Sequence, residues 1–184
     1  MNSLCALILL ADGFEEIEAL TPVDILRRAG VAVTTAGLRP GPIEGSRQTR
    51  HLADTSLDAV SHRLFDVLVL PGGQPGTDNL RRDRRVGECV MRHARAGKWL
   101  AAICAAPLVL HDAGLLAGRR ATSYPSVKDQ LTGVHYVEDR VVVDGTILTS
   151  RAPGTALEFS LKIVELLCGA NLAAEINQGV LARL

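Results

Sequence analysis

What most limits the folds open to this chain is its alternation of short, nearly unbroken apolar runs with stretches of helical length. "CALILL" (5–10) is the first run, bounded by "ADG". "EEIEALTPVDILRRAG" (15–30) follows as a helix that stops at Gly30. "VAVTTAG" (31–37) is strand-like and rich in β-branched residues, and "DVLVLPGG" (66–73) is a buried strand ending in a glycine turn. A basic helix is predicted over 84–97, then the strand "KWLAAI" (98–103) and a helix over 106–113. Strands this apolar are buried on both faces. Separated by helices, they predict an α/β fold: a mostly parallel sheet with helices on both faces. In such sheets, sites form beyond the carboxyl ends of the strands.

The remaining segments are less regular. "RPGPIEG" (39–45) reads as a turn cluster, with a minor strand or hairpin around 46–54. "RATSY" (120–124) is a short strand, followed by one or two helical turns near 125–131. "RVVVDGTILTS" (140–150) reads as two strands joined by Asp144-Gly145. Thr155 and Glu158 fit a capping box that opens the last long helix, in which Leu157, Leu161, Val164 and Cys168 recur at helical spacing. Pro22 breaks the pattern of 15–30. Either the helix kinks there or a new one starts with Thr21 as cap. Such local conflicts tend to lie at functional or strained sites.

The 184 residues suit a single domain over 1–184. Twenty Lys and Arg balance twenty Asp and Glu, so there is no general attraction to nucleic acid or anionic membrane. Residues 80–98 are locally basic, net +5; with 3% aromatics for base stacking, a solvated helix face is the expectation there. No run approaches a membrane span, and the N-terminal "LCALILLA" reads as a first strand and not as a signal peptide. Cys5, Cys89, Cys104 and Cys168 form no C-x-x-C pair and no metal-ligand spacing, which fits a reducing, cytoplasmic setting.

Chemistry concentrates at "AAICAAP" (101–107). Cys104 falls where a buried strand turns sharply into a helix, and Ala102, Ala105 and Ala106 leave room for the turn. A thiol there faces unpaired N–H groups and the positive helix end, which lower its pKa. Position alone leaves open a small buried apolar cysteine. Cys5, Cys89 and Cys168 lie inside strand or helix patterns and read as structural. Glu18, just after the first strand, is a candidate to share one proton with Cys104; the alternative is an ordinary first-turn charge, as for Glu15 and Glu16. "LPGG" (70–73) lets the Gly73 N–H, with that of Ala105, form an oxyanion hole, or it is a plain tight turn.

Together, "GFEEIEAL…PVDILRRAG", "VLVLPGG", "AAICAAP" and "LTSRAPGTALEF" resemble the ThiJ/PfpI family, which includes the DJ-one- and YajL-like parkinsonism-associated deglycases. The resemblance covers nearly the whole chain, in order. It implies a flavodoxin-like three-layer sandwich and a homodimer, with no metal or organic cofactor. It implies that Cys104 is the reactive cysteine and Glu18 its proton-sharing partner. Gly73 matches the glycine after the buried strand, and Arg151 and Arg28 match arginines near the pocket and dimer contact. The implied activity is on reactive carbonyls, as a glyoxalase or a deglycase of methylglyoxal adducts. Redox sensing or chaperoning through Cys104 oxidation is the alternative. Many members carry a histidine where this chain has Tyr124, which weakens a Cys-His mechanism and makes Tyr124 a pocket wall or hydrogen-bond donor. No other histidine replaces it. His111 lies two turns beyond Cys104, His135 reads as structural, and His51, His62 and His93 fall on polar segments expected to be exposed.

Overall fold

The computed structural model describes residues 4–182, and its long apolar runs are strands of one sheet. In chain order the elements are β1 (Cys5–Leu10), α1 (Glu16–Arg28), β2 (Ala32–Gly37), β3 (Pro42–Glu44), β4 (Arg50–Leu52), β5 (Thr55–Ser56) and α2 (Leu57–Val60). Then come β6 (Val67–Leu70), α3 (Gly76–Arg82), α4 (Arg84–Arg95), β7 (Trp99–Ile103), α5 (Pro107–Asp112), β8 (Arg120–Ala121) and β9 (His135–Tyr136). The chain ends with β10 (Val141–Asp144), β11 (Ile147–Ser150), α6 (Ala156–Cys168) and α7 (Ala170–Gly179).

Seven strands pair in the order β10-β11-β7-β6-β1-β2-β5. All neighbours are parallel except β10 and β11, the hairpin expected at Asp144-Gly145. Strand periodicity then sorts the core into two layers. Leu7, Leu9, Leu68, Leu70, Leu100 and Ala102 face one way, toward Leu80, Val86, Val90 and Leu110 of α3–α5. Ala6, Ile8, Val67, Val69, Ala101 and Ile103 face the other way, toward Leu26, Phe159, Ile163 and Ile176 of α1, α6 and α7. This is the three-layer, flavodoxin-like architecture, and it places the carboxyl ends of β1, β6 and β7 side by side.

Several local expectations change. The turn cluster 39–45 contains a strand, β3, which pairs with β4. "RATSY" supplies only the two-residue β8, paired with β9 outside the main sheet, and a 3-10 helix covers Pro125–Gln130. The short α2 and the helices α3 and α7 have no counterpart among the expected elements; α3 begins at Gly76 and α7 follows Gly169, and glycine is a poor helix former. The capping box at Thr155 does not form. Its hydroxyl accepts from the Arg151 and Ala152 N–H groups and lies 2.7 Å from Ser150 Oγ, while Glu158 pairs with Arg140 at 2.6 Å. A 3-10 turn at Pro153–Thr155 points the hydroxyl back toward the preceding loop. Finally, α1 runs unbroken through Pro22, so no second helix starts at Thr21. Proline brings no N–H, so the Glu18 carbonyl, one turn earlier, is denied its usual helical donor.

Candidate active site

β7 ends at Ile103, and the next residue turns the chain. Cys104 has φ +65°, a left-handed conformation that disfavours any side chain by about 1–2 kcal/mol. Two backbone bonds hold it there: its N–H donates to Ser150 O at 3.0 Å, and its carbonyl accepts from Tyr124 N–H at 2.8 Å. Ala106 N–H closes the turn on Ile103 O at 3.1 Å, and Pro107 opens α5. Ala105 and Ala106 are buried, as the sharp turn requires, and Cys104 retains 9% exposure.

The loop after β6 meets this elbow. Gly72 O accepts from Glu15 N–H at 2.9 Å, and Gly72 N–H donates to Glu18 Oε2 at 2.9 Å. The Glu15 carboxylate caps α1 by accepting from Glu18 N–H at 2.9 Å. A β-carbon built on Gly72 would sit 2.7 Å from Cys104 Cβ and 2.8 Å from Glu18 Oε2, so glycine alone leaves room for the thiol and the carboxyl to approach. Glu18 is fully buried, and its Oε1 has no hydrogen-bond partner of ordinary length; the interacting group beside the carboxyl is the Cys104 thiol. The N–H groups of Gly73 and Ala105 are aimed at the sulfur.

These surroundings govern the proton. Burial, opposed by the Cys104 and Gly72 hydrogen bonds, pushes the Glu18 carboxyl up to about 8. Burial also pushes the Cys104 thiol up to about 12, helped by the charge of Glu18 and the hydrogen bond to it. The lowered thiol pKa expected from the helix end is therefore not what the free site shows, because burial outweighs the two backbone donors. Two of the three raising causes require Glu18 to be ionised. When Glu18 holds the proton they vanish, and the Gly73 and Ala105 N–H groups act on the sulfur against burial alone. The pair thus holds two protons at neutral pH and shares a single one above about pH 8, where Glu18 ionises beside the thiol.

A stability test follows. Folded Glu18 keeps its proton up to about pH 8, whereas an ordinary glutamate loses it near 4.5. The folded chain binds more protons in that window, so stability falls as pH rises through it, by up to about 1.4 kcal/mol per pH unit. Burial lowers the pKa of His93, whose contribution runs the opposite way as pH rises. The readout is therefore the urea midpoint of wild type minus that of Glu18→Gln from pH 5 to 8. That difference is expected to decline steadily, and a flat difference would contradict the assignment.

Of the other expected residues, Tyr124 reaches the elbow through its backbone, and the residue is 43% exposed. Arg151 donates from Nη1 to Glu138 O at 2.8 Å. Arg28 lies in the last turn of α1, about 15 Å of helix from Glu18, and pairs with Asp24 at 3.1 Å. The structure does not bring Arg28 to the elbow. His111 bonds Thr132 O at 2.9 Å. His93 is not exposed as expected but fully buried: Phe65 N–H donates to its Nε2, and its Nδ1 meets Cys89 O. It continues the buried stripe Val86, Cys89 and Val90 of α4, a helical spacing masked in the sequence by the arginines around it. Burial pushes the Cys89 thiol up to about 11, in keeping with a structural role. Gly72 and Ser150 were not singled out from sequence, nor was Glu16. The Glu16 carboxylate is buried and organises the loop before β4 by accepting from Ser46, Arg47 and Thr49. Among the described residues no cluster of His, Cys, Asp or Glu could hold a metal ion.

Known proteins resemble this chain in sequence and in fold. The model of the DJ-1/PfpI family matches residues 5–166. Protein dj-1beta of Drosophila melanogaster is 47% identical over 182 residues, covering 97% of each chain. A crystal structure of Drosophila melanogaster DJ-1beta covers 100% of both chains with a TM-score of 0.96 at 46% identity. The glutathione-independent glyoxalase DJR-1.2 of Caenorhabditis elegans is 40% identical over 167 residues, covering 89% of each. The structure of oxidized Toxoplasma gondii DJ-1 covers 99% of this chain and 100% of its own, with a TM-score of 0.96 at 36% identity.

Proposed function

We propose that this chain, which belongs to the DJ-1/PfpI family, is a cysteine-dependent, cofactor-free protein that acts on reactive carbonyls in stress defence. Its substrates would be α-oxoaldehydes such as methylglyoxal, or their early adducts. The observation that carries this reading is the elbow itself: a nearly buried thiol in a strained left-handed conformation, between two backbone N–H donors and a buried, proton-holding carboxyl. The similarity to a glutathione-independent glyoxalase supports the same substrate class.

The first step adds Cys104 across the aldehyde. In the form with Glu18 ionised, the thiol proton passes to Glu18 as the S–C bond forms, and the carbonyl π pair moves onto oxygen. The Gly73 and Ala105 N–H groups, which face the sulfur in the free site, then serve the new oxyanion. Glu18 returns the proton to that oxygen and leaves a hemithioacetal. Rearrangement and hydrolysis release the hydroxy acid, and for a glycated amine the amine leaves.

The test is lactate formation from methylglyoxal by chelator-treated protein, against buffer and free-thiol controls. Glu18→Gln, which cannot accept the thiol proton, is expected to lose at least 10²-fold of the rate. No product from wild type would overturn the enzyme reading.

A second reading rests on the same two donors, which also suit the oxygens of a sulfinate on Cys104, and on the oxidized state of the Toxoplasma relative. Saturable peroxide oxidation of Cys104 without turnover would favour a redox sensor or chaperone. Either reading fits a cytoplasmic homodimer. Ile17 and Leu20 on α1 are 54% and 41% exposed, an apolar face suited to a second copy. Sedimentation equilibrium giving a monomer at micromolar concentration would sink the dimer.

A further inference from the structure

The basic segment 80–98 leaves a groove of about 800 Å³ along α4 and the end of α3, sharing no residue with the Cys104 elbow. Its apolar part includes Met91 and Leu64, the latter 44% exposed. Five arginines line it, and they are not equivalent. Arg81 is occupied by Asp112 at 2.7 Å and Asp78 at 3.8 Å, and Arg84 by Glu88 at 3.4 Å. The other acid in the lining, Asp83, is taken by Arg85. That leaves Arg82, Arg92 and Arg95 facing the groove with no ion pair or hydrogen bond among the described residues. Arg92 is the informative one, because its Nη1 is shut off from solvent and meets no acceptor. A buried charged donor without an acceptor is unfavourable, so Arg92 gains by turning its guanidinium on its flexible stem toward an acceptor that enters the groove from outside the chain.

We propose that this groove binds an organic phosphate with an aromatic or apolar body. Guanidinium forks match the oxygens of phosphate and carboxylate alike. Three unneutralised cations call for more negative charge than one carboxylate carries, which favours phosphate. The body of the ligand packs on Met91 and Leu64, as in most small-molecule sites, where an apolar lining is oriented by a few polar groups.

The chain has two methionines, Met1 and Met91, so a ¹³C-methyl-methionine label reports directly on the groove. Titration with 1-naphthyl phosphate is expected to shift the Met91 methyl signal saturably. The apparent Kd should weaken at least tenfold in Arg92→Gln and again in Arg82→Gln/Arg95→Gln, and stay within twofold of wild type in Cys104→Ser. Inorganic phosphate should bind more weakly and 1-naphthol should not compete. No saturable shift, equal affinity in wild type and Arg92→Gln, or equal binding of 1-naphthol would each overturn the proposal. Loss of binding in Cys104→Ser would overturn it too, by placing the phosphate at the elbow.

Discussion

Cys104→Ser is expected to reduce methylglyoxal consumption to the buffer rate, a loss on the order of 10³-fold or more, with the fold intact. Serine is close to cysteine in size, and the bonds that hold the elbow are backbone bonds from Ser150 and Tyr124, so its geometry is untouched. What changes is the nucleophile. A hydroxyl is far harder to ionise than a thiol, and neither Glu18 nor the donors of Gly73 and Ala105 can close that gap. The measurement pairs lactate production with the thermal midpoint. A wild-type-like midpoint with no turnover fixes the chemistry on the sulfur. Unchanged turnover would remove Cys104 from the reaction. The proposed arginine groove is judged separately, because its readout is ligand binding at Met91.

Gly73→Ala is expected to be the most damaging single substitution near the site, destabilising the fold by about 3–5 kcal/mol. Gly73 has φ +89°, and an added β-carbon would lie 2.4 Å from Glu15 N and 2.6 Å from Gly13 O. Those are backbone atoms and cannot swing aside. The neighbouring bonds join β6 to the start of α1, including Glu15 N–H to Gly72 O. Gly114→Ala is the control, with φ +73° and nothing within 4 Å of the new carbon, so it carries only the conformational term of about 1–2 kcal/mol. Equal urea midpoints for the two variants would show that crowding at Gly73 is unimportant.

Much of this was legible in the chain. The apolar runs became β1, β6, β7 and β11 because a strand buried on both faces declares itself in composition, while the half-exposed β2 and β10 showed through their β-branched residues. Cys104 stood out because small residues crowd a strand-to-helix turn. Other features did not show. The stripe Val86, Cys89, Val90 and His93 was hidden by the arginines sharing α4, so His93 was expected in solvent. The helices α3 and α7 were missed because each begins at or beside a glycine. Thr155 offered a capping pattern, but a 3-10 turn gave its hydroxyl other partners.

By itself the sequence determined the α/β class, the positions of the long central strands and the elbow, since all three follow from residues adjacent in the chain or spaced by 2 or 3.6. Only the tertiary structure decided the state of the site. The Glu18 carboxyl accepts from Gly72, 54 residues away, and is sealed by packing between α1 and the ends of β6 and β7. That burial raises its pKa, lets it share a proton with Cys104, and outweighs the helix-end effect on the thiol. The sequence names a carboxyl, but desolvation depends on everything that surrounds it, and that is set by segments distant along the chain.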